Sequence, residues 1–145
     1  MIDKKQEKAY YALIAEYLQE ISPEMHKTCV EVVKPLLNDH NHVKEIFNYI
    51  LVNQGYVFCT ENAHFYLAVF YRIYSPIHLY TKKCRLRNGL RERIRNVFNY
   101  NAVEMINYLA DSVLPYYKNP RWATQINELA FDIVENIKIE LAECQ

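Results

Sequence analysis

The residues of this chain best able to do chemistry are cations gathered in one place. Arg72, Lys82, Lys83, Arg85, Arg87, Arg91, Arg93 and Arg95 meet only one carboxylate in their stretch, Glu92, although the 145-residue chain as a whole balances 17 Lys and Arg against 17 Asp and Glu. Arg87, Arg91 and Arg95 recur every four residues. On a helix they are expected to project from one face while Leu90, Ile94 and Phe98 anchor the other. Arginine's planar fork suits phosphate, and Tyr66, Tyr71, Tyr74 and Tyr80 offer ring faces on which bases stack, so DNA or RNA is one reading of this ridge. The other is docking on acidic protein surface, either of a different protein or of a second copy, since the flanking residues 1–71 and 96–145 both carry an excess of acid.

Other constellations are weaker. His40-Asn41-His42 resembles, in spelling, the histidine pair of the metal-dependent endonucleases of the HUH class, which use a tyrosine nucleophile and would find thirteen tyrosines here. In that class the histidines flank an apolar residue on a central strand, so both can face one metal. Here the middle residue is polar and the pair opens a helix, so the tripeptide is read as an inter-helix turn capped by Asp39 or Asn41. No H-E-x-x-H occurs, and Cys29, Cys59, Cys84 and Cys144 form no C-x-x-C; neither metal nor cofactor is expected. Ser22 and Ser75 precede proline and read as caps, Cys59 near His64 reads as an inert thiol beside a helix start, and no covalent mechanism is expected. Glu16 with Glu20, and Glu128 with Asp132 and Glu135, sit at helical spacing and read as solvated surface. With glycine only at 55 and 89, no phosphate-cradling loop, dinucleotide fingerprint or G-x-S-x-G elbow can be built.

The elements that must carry these residues are helices. Tyr10, Leu13, Ile14, Tyr17, Leu18 and Ile21 form one stripe of a 3.6-residue repeat. Ser22-Pro23-Glu24 then supplies a side-chain cap and a first-turn proline, and a second helix follows until Pro35 ends or kinks it near Lys34. Val43, Ile46, Phe47, Ile50 and Leu51 mark a third helix closed by Gly55 in a left-handed conformation. Residues 56–83 are ambiguous: helix is favoured for 61–74, with a small antiparallel sheet as the alternative. Leu86 to Phe98 outlines another helix that tolerates Gly89, and Ala102 to Leu114 one that stops at Pro115. Asn119-Pro120 starts a long last helix whose apolar set, Trp122, Ile126, Leu129, Ala130, Ile133, Ile137 and Leu141, is widened by Phe131, Val134 and Ile139. That width predicts either a central position or contact with a second chain.

The expectation is an all-α protein, a compact single domain over 1–145 built as a bundle of about six or seven helices. A polar start and the lack of a long apolar run suggest a cytoplasmic protein with no membrane partner. The first functional reading is a non-enzymatic protein that binds another protein, above all a second copy of itself, with Trp122, Phe131, Val134 and Ile139 at the interface. The alternative is nucleic-acid binding or regulation through Lys82, Lys83, Arg85, Arg87, Arg91, Arg93 and Arg95; a metal-dependent nuclease ranks third.

Overall fold

A computed structural model describes residues 3–81, 86, 88–99, 109, 111–114 and 118–144. It is all-α: among the described residues there is no strand, and where the sheet alternative for 56–83 falls on them, over 56–81, a helix and a 3₁₀ turn stand in its place. The chain divides into two compact units, Met1–Lys34 and Pro35–Gln145.

The first unit is a pair of helices packed on each other, α1 (Lys4–Ile21) and α2 (Pro23–Val32). Asp3 starts α1 with a reciprocal capping box: the Gln6 backbone N–H donates to Asp3 Oδ1 (2.8 Å), and the Asp3 N–H donates to Gln6 Oε1 (3.0 Å). Ser22 does not use its side chain as a cap, contrary to expectation. Its backbone joins the two helices instead, the N–H donating to Leu18 O (2.8 Å) and the carbonyl accepting from His26 N (3.1 Å). Proline at the first position of α2 lacks an N–H that would have no intrahelical partner there, so it starts the helix without loss. α2 ends at Val32, before Pro35, as its sequence requires.

The second unit holds the core. A 3₁₀ turn, His40–His42, leads into α3 (Val43–Asn53); Asp39 caps that turn, its Oδ1 accepting from Asn41 N at 2.9 Å, whereas α3 itself is preceded by His42 and has no side-chain cap from either Asp39 or Asn41. α3 closes as a Schellman motif: Tyr56 N–H donates to Leu51 O (2.7 Å) and Gly55 N–H to Val52 O (3.3 Å), with Gly55 left-handed at φ 67°. Tyr56 is left-handed too, at φ 63°. Asn62 then folds the 57–62 segment back, accepting from Cys59 N (2.8 Å) and donating to Val57 O (2.9 Å).

α4 (Ala63–Tyr74) is buried along its whole length, with only His64 and Arg72 reaching partial exposure. It packs most extensively against the long helix α6 (Pro120–Glu143), while α3 packs against α5 (Asn88–Phe98). Phe47, Phe58, Tyr66 and Phe98 form an aromatic cluster with ring centroids 4.8–6.5 Å apart. Of the 102–114 stripe, Leu109 and Val113 are buried in the same core; residues 102–108 and 110 lie outside the described set. Asn119 caps α6 as expected, its Oδ1 accepting from Arg121 N at 3.1 Å.

Candidate functional site

α1 presents the clearest surface. Tyr10, Leu13, Ile14 and Tyr17 share one side of the helix, and all four are exposed, Tyr17 to 55%. Neither α1 nor α2 buries a single side chain, and Ile21, Met25, Val30 and Val33 add further exposed apolar groups. The spacing marks this stripe as a face meant to be covered, but spacing alone does not separate a core face from a docking face. The tyrosines are the missed signal, because their amphipathic rings are enriched at interfaces.

On α6 the four expected interface residues part ways. Trp122 is half-buried against the rings of His64 and Phe65, with centroids 5.6 Å away in both cases. Val134 is buried. Phe131 and Ile139 are exposed, and with Leu36, Glu135, Lys138 and Ala142 they border a groove of about 470 Å³ floored by Val134. The Arg72 guanidinium lies 5.1 Å from the centre of the Phe131 ring and donates from Nε to Asn127 Oδ1 at 2.7 Å, fixing one wall of that face.

The basic ridge is only partly within the described residues: Lys82, Lys83, Arg85 and Arg87 lie outside them. Leu90, Ile94 and Phe98 anchor α5 as expected. Arg91 and Arg95, however, are half-buried and do not stand opposite them. Successive helical residues are about 100° apart, so a row one position on borders the apolar row. Arg91 lies close enough to lower the proton affinity of Tyr71, against the larger rise that burial imposes on that hydroxyl. Arg93 is exposed and donates from Nη1 to Asn41 Oδ1 at 2.7 Å. Tyr66, Tyr71 and Tyr74 are buried, so their rings serve the core and not as platforms for bases; Tyr80 is exposed.

His40 and His42 diverge, and nothing like a paired metal site forms from them. His40 meets the Tyr74 ring edge-on at 5.2 Å. His42 turns the other way, with Nδ1 3.3 Å from Glu45 Oε2. Glu45 and Glu140 lie within hydrogen-bonding reach of each other, and Tyr49 Oη donates to Glu140. The bond to Glu140 pushes Tyr49 up to about 12 and, with desolvation, raises Glu45. Glu140 is held low by its bonds to Glu45 and Tyr49. This arrangement ties α3 to α6. Among the described residues no group of three or more His, Cys, Asp or Glu could hold a metal ion, and no helix is long and apolar enough to cross a membrane. Compared with protein-family models, curated proteins and solved structures, the chain matches none.

Proposed function

We propose that this chain is a non-enzymatic protein that acts by binding another protein, in the first place a second copy of itself, through helix faces whose apolar residues stand at the surface. The observation that carries this reading is α1: a helix with a specified start presents Tyr10, Leu13, Ile14 and Tyr17 on one side, every one exposed. Contiguous apolar surface of this kind on a soluble helix marks an interaction site. The Phe131–Ile139 groove of α6 offers a second such face. The helices of residues 35–145 are taken as a bundle around α4 that holds this second face rigid.

Size-exclusion chromatography with light scattering on wild type, Leu13→Glu/Tyr17→Glu and Phe131→Lys tests it. Wild type at micromolar concentration should exceed the 17.3 kDa of one chain, and the α1 double variant should fall back to one chain while keeping a cooperative melting transition, its temperature lowered only by the loss of the partner. A wild-type monomer throughout would sink self-association. The nucleic-acid alternative draws on Arg93, the exposed member of the three described ridge arginines. Its signature is an affinity for DNA or RNA falling by about 0.7–0.9 log units per log unit of salt for each phosphate contact. No binding at about 50 mM salt, where such contacts are strongest, would remove it.

A further inference from the structure

We infer that the cleft between the His40–His42 turn, the start of α3 and α5 is a subsite for a phosphate group, with Arg93 and Lys44 as its cations. The cleft holds about 200 Å³ and is lined by His40, Asn41, Val43, Lys44, Arg93, Asn96 and Val97. Water occupies roughly 30 Å³ per molecule in the liquid, so a phosphate group fits with part of its hydration retained. Every polar lining side chain is one that a phosphate oxygen can accept from: a guanidinium, an ammonium, two carboxamides and an imidazole. Among the described residues no carboxylate lines it. Three carboxylates adjoin the lining residues in sequence: Asp39 spends Oδ1 on the Asn41 N–H, Glu45 faces His42 and Glu140, and Glu92, beside Arg93, is exposed and not part of the lining.

The wall is also held in place before any ligand arrives. Tyr74, a buried residue of α4, donates from Oη to Asp39 O at 2.8 Å, which fixes the residue in front of the turn. Its ring meets His40 edge-on. Arg93 Nη1 donates to Asn41 Oδ1, which ties two lining residues of the cleft together and holds the guanidinium at its wall. A fork already oriented loses little rotamer freedom on binding, and this is what separates a subsite from scattered surface charge. The inference rests on the cleft alone and stands or falls independently of the protein-binding reading.

The probe is inorganic phosphate, titrated against chloride at constant ionic strength while backbone amide resonances are followed by NMR. Saturable shifts at Asn41, Lys44, Arg93 and Asn96 are expected with phosphate and not with chloride. Arg93→Gln should weaken the phosphate constant about tenfold, the equivalent of one charge-assisted hydrogen bond, and Lys44→Gln by several-fold. Lys118→Gln, an exposed residue ahead of α6, is the control and should change nothing. Shifts that do not saturate, that chloride reproduces, or that survive Lys44→Gln and a folded Arg93→Gln would overturn the assignment; were Arg93→Gln to lose its melting transition, Lys44→Gln decides alone. Two further arms identify the source of the phosphate. A 5′-nucleoside monophosphate that displaces inorganic phosphate, while an unphosphorylated oligonucleotide does not, points to a free monoester. An unphosphorylated oligonucleotide that binds with a salt dependence reduced by about 0.7 in Arg93→Gln points to a nucleic-acid backbone.

Discussion

α1 and α4 draw on the same residues, tyrosine with leucine, isoleucine and alanine, and end in opposite environments. α1 buries no side chain, whereas α4 buries all but His64 and Arg72. The difference lies in what separates the apolar residues. In α1 an apolar run, residues 9–15, lies between Lys4, Lys5, Glu7 and Lys8 on one side and Glu16 and Glu20 on the other, so the two ends stay solvated while the run between them is offered to a partner. In α4 only His64 and Arg72 are polar in the charged or imidazole sense, so burial on every side is the only stable environment.

Mutations can break this comparison directly. Phe70→Ala, in the α4 core, should cost about 3–5 kcal/mol in a denaturant titration, while Leu13→Ala in α1 should stay within about 0.5 kcal/mol. A large loss from Leu13→Ala in a monomeric sample would show that the α1 stripe is a core face after all. Next in size are the hydroxyls. Tyr66→Phe removes the bond from Oη to Val57 O (2.6 Å) and should cost about 1 kcal/mol, whereas Tyr17→Phe should be close to neutral in the same titration.

The Arg72–Phe131 contact sharpens the picture where α4 meets α6. A double-mutant cycle with Arg72→Met and Phe131→Leu should return a coupling of about 0.5–1 kcal/mol, and a value near zero would mean the stacked geometry contributes nothing. The smallest effect is electrostatic. Burial holds the His64 imidazole below its ordinary value of 6.5. The unfolded chain therefore takes up the proton first as pH falls. The stability tied to neutral His64 is complete above the ordinary value and is lost as pH falls through the depressed one. Melting temperature should decline on acidification below neutrality, and His64→Phe should flatten that part of the profile; an unchanged slope would show that the decline originates elsewhere.

Much of the local structure was legible in the sequence because it rests on local rules. The Gly55 closure of α3, the stop before Pro35 and the Asn119 cap of α6 each depend on residues within one turn of each other. Residues 61–74 left a strand open for a physical reason: a helix buried all round has no polar face, and without one its 3.6-residue period disappears. The candidate sites were less legible. Arg93 and Asn41 are 52 positions apart, and no pattern in the sequence announces that they meet. The α1 stripe was visible as a helix face but not as an exposed one, and Val134 was expected at an interface but is buried, since periodicity gives the direction of a face and not what covers it.

The pairing of α4 with α6 has a consequence for how the protein is made. About 45 residues separate the end of α4 from the start of α6, which at 5–20 residues per second is roughly 2–9 seconds of synthesis. Throughout that interval an aromatic helix with almost no polar surface has left the ribosome without the helix that covers it most. The exposed apolar surface of α4 is therefore greatest before residues 120–143 emerge, and slowing translation over residues 75–119 is expected to lower the yield of folded protein.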